Sequence, residues 1–437
     1  MPPDASRGGD TRLLRADGRR PYRGAVTSPP TVRPRAARTA VSVLFWINGA
    51  LLASFLPRLP AVKAELGLSN AALGVGIAFG PAGALLASAV AGWLVAKVGS
   101  GRLAVAASVV YGLALPLVGL APAWVAFAGA VFLLGLCDGA ADVAQNAHGL
   151  RVQRTYGRSL INGFHAWWSI GGVVGGLTSA AAAALHVPLA LHLAVAGGIL
   201  AMAAAVAGRW TLPGPDPGAD EYAAVGEPDE PGELAVPGGH GSVGMTTRRS
   251  RPALLSLAGV AGLTVLAAFV EDVPGSWGAV YLRDGLGTAA GLAGLAFAAF
   301  TAGMTLGRLV ADRAVDRWGH VTVVRVGGLV AAAGLSGGLL IGTPWAGLAG
   351  FFLVGLGAAP AFPALFHAAG NRRGVRPADG VALVSWAARA GFLIAPPLVG
   401  LVADATSLTW AVAIGVMAAL GVTAGASILR GPDDGRP

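Results

Sequence analysis

Along this 437-residue chain, apolar stretches of about 20 residues alternate with short polar breaks from residue 41 to residue 429. Twelve such runs can be counted, near 41–57, 71–95, 102–121, 124–146, 160–184, 187–207, 253–281, 289–311, 320–341, 345–368, 379–402 and 407–429. A helix needs about 20 residues to cross roughly 30 Å of hydrocarbon, so each run predicts one membrane-spanning helix. The fold class that follows is an all-α integral membrane protein with 12 transmembrane helices. Two segments break the pattern. Residues 1–40 are rich in Arg, Pro and Gly without a signal-type apolar core, which predicts a disordered basic tail. Residues 208–252 carry Pro213, Pro215, Pro217, Pro228, Pro231 and Pro237 with Asp and Glu between them, which predicts a flexible linker. The linker separates an N-terminal six-helix bundle over 41–207 from a C-terminal one over 253–430, followed by a short tail over 431–437.

The two sets of six resemble each other. At an offset of 220 residues, Leu66, Gly67, Gly74, Gly83, Leu86, Val90 and Gly99 meet Leu286, Gly287, Gly294, Gly303, Leu306, Val310 and Gly319 without a gap. The same offset lays Phe132-Leu133 on Phe352-Leu353 and Gly171 on Gly391. Two similar apolar halves are the mark of a secondary transporter with its site at the repeat interface.

Charge sets the expected topology. Nine arginines precede residue 40, and later groups (Arg102; Arg151, Arg154, Arg158; Arg209, Arg248, Arg249, Arg251; Arg313, Arg317, Arg325; Arg372, Arg373, Arg376; Arg430) fall on alternate sides of the spans. The intervening breaks hold few charges. This positive-inside pattern predicts a multi-pass protein of the plasma (inner) membrane with both termini and the linker cytoplasmic. It also removes the nucleic-acid reading that a net charge of +9 invites. With 54% hydrophobic and 12% charged residues, a soluble core is excluded. The chain holds one cysteine, Cys137, and neither paired Cys/His metal spacing nor a phosphate-binding Walker loop. No cofactor and no metal are therefore expected, and without a nucleophile–base set the chain reads as no enzyme.

Motifs narrow the class. The break after the second span reads Gly92, Ala96, Lys97, Gly99 and Arg102, and its second-half copy reads Asp316-Arg317-Trp318-Gly319 after Gly307-Arg308 and Asp312-Arg313. A longer signature runs from Asp138-Gly139-Ala140-Ala141-Asp142 through Gln145-Asn146, Arg151, Tyr156-Gly157-Arg158 and Asn162-Gly163-Phe164-His165-Ala166-Trp167-Trp168. Trp277-Gly278 and Pro360-Ala361-Phe362-Pro363 accompany it. On these residues the chain resembles the major facilitator superfamily, and within it the MosC/YbjJ-like branch, which is distantly similar to fucose-permease-type sugar symporters. The resemblance implies two pseudo-symmetric bundles that rock about a central site. It also implies that Arg308, Asp312, Asp316 and Arg317 form a cytoplasmic gate, with Ala96 in place of the acid in the first-half copy. The fifth span lacks the Gly-Pro step of drug antiporters, which weighs against drug efflux.

An ionisable side chain at membrane depth costs ~3 to more than 10 kcal/mol, so each one needs a reason. Asp138 lies near the middle of the fourth span, with Asp142 one turn further on the same face. Arg389 lies near the middle of the eleventh span, and Glu271 and Asp272 lie in the outer part of the seventh, before Pro274-Gly275, where a helix can break. Asp138, Glu271, Asp142 and Arg389 are the proton-coupling candidates, the competing reading being a fixed ion pair of Arg389 with Asp138 or Asp142. Asp272 is expected to face solvent in a loop. Asn48, Asn162, His165, Trp167 and Trp168 offer amide and imidazole hydrogen bonds and aromatic faces, a set that suits a sugar- or polyol-like solute. The expected function is proton-coupled transport of a small polar solute by alternating access. Export by antiport is the alternative, and a non-transporting scaffold is disfavoured by the buried charges. The expected partners are that solute, protons and the lipid bilayer, with the chain acting as a monomer.

Overall fold

The computed structural model describes residues 34–157, 159–214, 216, 251–372 and 375–430. The expected tails over 1–33 and 431–437 and most of the linker, 217–250, lie outside the described residues. Twelve spanning helices follow one another: α1 (Pro34–Phe55), α2 (Asn70–Val98), α3 (Ser100–Ala114), α4 (Trp124–Tyr156), α5 (Ile161–Ala184), α6 (Leu189–Ala207) and α7 (Arg251–Asp272). A single stretch, Ala290–Ile341, holds α8 and α9, which meet at Gly319. Then come α10 (Pro344–Ala358), α11 (Pro377–Ala405) and α12 (Leu408–Gly425). Ten stretches are long and apolar enough to cross a membrane by composition. One of these is the α8–α9 pair, and α5 is not among them, because Asn162, His165, Trp167, Trp168, Ser169 and its glycines dilute its hydropathy. The helix that falls short carries the most site chemistry.

The 220-residue repeat is realised in the backbone. Gly99, between α2 and α3, has φ +90°, and its counterpart Gly319, between α8 and α9, has φ +75°, a region that residues with a Cβ rarely adopt. Gly83 lies against the Phe132 carbonyl and the Leu136 N–H of α4, and Gly303 repeats that contact with Phe352 and Leu356 of α10. Helices this close exclude any side chain at the crossing. The packing pairs recur as well: α1 with α5 and α7 with α11, α2 with α4 and α8 with α10, α3 with α6 and α9 with α12.

Three expected boundaries move. α1 is already helical at Pro34, the first described residue, and not only from near residue 41, because Arg35 and Arg38 extend a helix beyond the apolar run. α4 continues to Tyr156, carrying Arg151 and Arg154 on its last turns. The seventh span does not break at Pro274: π-helical turns over Val273–Trp277 and Tyr281–Gly285 carry it onward to Gly285. A π turn absorbs the N–H that proline lacks without ending the helix.

At the end bearing residues 208–216 (the linker end), Asp216 accepts from the Ser100 N–H at 2.5 Å and the Ser100 hydroxyl at 2.7 Å. His148 stands 2.9 Å from Ser100 Oγ through Nδ1 and accepts from the Leu212 N–H through Nε2 at 3.1 Å. Arg151 donates to the carbonyls of Pro213 and Gly214. The start of the linker is thereby strapped to α3 and α4.

The halves meet along two seams, α2 with α11 and α5 with α8. At the far end these seams are shut. Asp404 accepts from the N–H of Asn70 and Ala71, and Lys63 meets Asp284 at 2.7 Å. Gly294 packs on Ala180 and Gly74 on Pro396. Toward the linker end, beyond the Arg308–Ser169 contact at mid-depth, no hydrogen bond or ion pair joins these four helices across the seams among the described residues, and Asp142 of α4 is exposed there. The molecule is closed at the far end and splayed at the linker end.

Candidate functional site

Polar side chains from five helices converge at mid-depth. Asn48 of α1, only 6% exposed, donates through Nδ2 to Asp138 Oδ1 of α4 at 2.9 Å. Its Oδ1 accepts from Trp168 Nε1 of α5 at 2.8 Å. The next residue on α5, Ser169, is 1% exposed and accepts from Arg308 Nη1 of α8 at 2.9 Å while its own hydroxyl faces the His165 carbonyl at 3.2 Å. Arg308 in turn interacts electrostatically with Glu271 of α7 and with His165 of α5. Two adjacent residues of α5 therefore reach the two acids that stand in different halves.

Asp142, one turn from Asp138 toward the linker end, is exposed and accepts from Asn146 Nδ2 at 3.0 Å. An exposed carboxylate halfway along a spanning helix means that the opening at the linker end reaches it. Arg389 of α11 acts on both Asp138 and Asp142 electrostatically, yet no ion pair within 4.0 Å forms between them among the described residues. The fixed pair that would tie the halves together is not formed. Asn162 and Trp167 are exposed, the latter by 46%, and point away from the Asn48 chain, while His165 packs edge-on against Phe45 with centroids 5.1 Å apart.

Several expected placements change. Asp272 is no loop residue: it is 8% exposed and accepts from the Ser276 hydroxyl at 2.9 Å, because the π turns keep this segment inside the bundle. With the span running on to Gly285, Glu271 is central and not in its outer part. Of the four gate candidates, Asp312, Asp316 and Arg317 are exposed at the linker end, but Arg308 points inward to Ser169 and Glu271. A helix turns by about 100° per residue, so Arg308 and Asp312 share a face but stand a full turn apart in depth. Asn48, expected to meet solute, is spent on Asp138 and Trp168. Ser169 was missed. Its signal was its position four residues after His165, on the same face of the same helix.

A crevice of about 460 Å³ lies elsewhere, at the far end between α5 and the start of α8. Leu177, Ala180, Ala184, Gly291 and Leu295 line it, and it brings no acid or cation together. The chemistry sits in the central polar cluster.

Comparison with known proteins agrees with the architecture. Residues 260–437 match the family model of the Major Facilitator Superfamily. An uncharacterized MFS-type transporter of Yersinia pestis is 32% identical over 89% of this chain and 94% of its own length. The membrane protein MosC of Rhizobium meliloti is 29% identical over 87% of this chain and 88% of its own. Among solved structures, a variant of the nucleoside transporter NupG superposes with a TM-score of 0.67 at 13% identity, covering 90% of this chain and 99% of that one. A bacterial homologue of the lysosomal transporter Spinster, inward-facing and occupied, gives 0.64 at 14% identity over 90% and 95%. These two share the fold. With 12 spanning helices in two similar bundles, a polar cluster between them and relatives matched along nearly their whole length, the chain belongs to the major facilitator superfamily of membrane transporters.

Proposed function

We propose that this transporter moves a small, hydroxylated polar solute together with protons, by alternating access of the central cluster to the two sides of the membrane. The observation that carries the reading is the junction on α5. Trp168 leads through Asn48 to Asp138 in the first half, and Ser169 leads through Arg308 to Glu271 in the second. A partly buried acid held by a neutral donor and an acid beside a cation are two places where a proton can be bound or released as the halves rock. Solute contacts are assigned in this reading to Asn162, His165 and Trp167 on the first turns of α5. The arginine distribution supports placing the linker end in the cytoplasm, so the structure represents the inward-open state. Asp312, Asp316 and Arg317 would then meet the first half when that side closes.

The test is uptake into proteoliposomes of a library of labelled alditols, sugars and sugar acids, driven by an imposed pH gradient, with a pH-sensitive dye inside. Solute-dependent proton entry is expected, and Asp138→Asn or Glu271→Gln should abolish its gradient dependence. If both variants respond to the gradient as the parent does, coupling through these acids is wrong.

A further inference from the structure

Two guanidiniums in the middle of the bundle have donors to spare. Each guanidinium carries five N–H groups. Arg308 uses one, on Ser169. Arg389 makes no hydrogen bond and no ion pair within 4.0 Å among the described residues. Both are partly exposed, on the second-half helices α8 and α11 that border the splayed seams. A cation at membrane depth is tolerated where it meets counter-charge or a water-filled cavity. Here the counter-charges stand back. Glu271 acts on Arg308, and Asp138 and Asp142 act on Arg389, without closing to contact. Neither arginine is locked into the fold.

We propose that Arg308 and Arg389 hold the anionic end of the transported solute, a carboxylate on a small hydroxylated molecule, and that Glu271 and Asp142 are the internal competitors for those guanidiniums. A planar carboxylate pairs with a guanidinium through two parallel N–H···O bonds, which a neutral hydroxyl cannot do. The formal charges favour a monoanion over a phosphate dianion: Asp138, Asp142 and Glu271 already outnumber the two arginines, and a second negative charge adds repulsion. The split between halves also fits. The carboxylate sits on the second half and the hydroxyl groups turn to Asn162 and His165 of the first, so the solute bridges the elements that rock. Proton and solute then bind together. Protonating Glu271 removes the internal partner of Arg308; Arg308 from α8 is the charged group acting on Glu271, and His165 of α5 also lies within its range. Carboxylate binding strengthens as pH falls.

This inference rests on the polar-solute reading above and has its own test. Purified full-length protein in lipid nanodiscs is heated with three probe pools: sugar acids of three to seven carbons, the alditols of the same lengths, and the alditol phosphates. Stabilisation by the sugar acids alone is expected, stronger at pH 5.5 than at pH 7.5. Arg308→Gln and Arg389→Gln should each weaken it about ten- to hundredfold in apparent affinity. Arg389→Lys, which keeps the charge and loses the fork, should retain the preference for acids at lower affinity. Glu271→Gln should bind the acids with a weaker pH dependence, the part set by Asp142 opposite Arg389 remaining. Equal stabilisation by alditols, or by phosphates, overturns the carboxylate assignment and leaves the polar-solute reading standing. No stabilisation by any pool, with no gradient-driven uptake, sinks both.

Discussion

The closure of the far end makes a quantitative prediction. Asp404, near the end of α11 in the second half, caps the start of α2 in the first. Its Oδ1 accepts from the Asn70 N–H at 3.0 Å and from Asn70 Nδ2 at 2.8 Å, and its Oδ2 accepts from the Ala71 N–H at 2.8 Å. A carboxylate there satisfies orphan N–H groups and complements the helix dipole. Loss of such a cap costs about 1 kcal/mol, and loss of the dipole partner up to about 1 more. Asp404 is exposed, so the full worth of three charge-assisted bonds does not apply. These bonds cannot survive separation of the far ends, so Asp404→Ala charges the whole loss, about 2 kcal/mol, to the far-end-closed state. That moves the balance between the two states by about 30-fold. Spin labels at Ala64→Cys and Thr406→Cys, in a Cys137→Ser background, report the far-end separation by pulsed electron resonance. The parent should give one short distance and Asp404→Ala a second, longer population. An unchanged distance distribution together with a lower unfolding temperature would show that Asp404 stabilises the fold and not the seam.

Other consequences follow from the packing. Gly303→Ala and Gly83→Ala each push a Cβ into a neighbouring helix carbonyl, of Phe352 and Phe132 respectively. Each should destabilise by about 1–3 kcal/mol in thermal unfolding, and substitution of a loop glycine such as Gly342, with open space around it, serves as the comparison for backbone strain alone. Asp216→Ala removes the acceptor of both Ser100 bonds and should release the linker strap. Faster limited proteolysis after residue 210 at unchanged far-end spacing is expected; unchanged cleavage would mean that Arg151 and His148 hold the strap without it.

Much of the site was legible as residue types. Asp138, Glu271, His165 and Arg389 stood out because an ionisable group at membrane depth is costly, whatever the tertiary arrangement. Their partners were not legible. Asn48 looked like a solute ligand and is instead consumed by Asp138 and Trp168, residues 90 and 120 positions away. Arg308 read as part of a surface motif and turns inward to a serine 139 positions distant.

The sequence by itself determined the 12 spans, the two-half repeat and the family. A helix crossing hydrocarbon must be long, apolar and internally hydrogen-bonded, and those demands are written locally. It also specified the positive-φ glycines at Gly99 and Gly319, since no other residue fits there cheaply. Only the tertiary structure decided which side of each helix faces the centre. Spans that are apolar nearly all round carry no stripe to announce an inward face. Close packing set that rotation, and with it came the pairing of Asp138 with Asn48, the burial of Asp272 and the two guanidiniums left open at the seam.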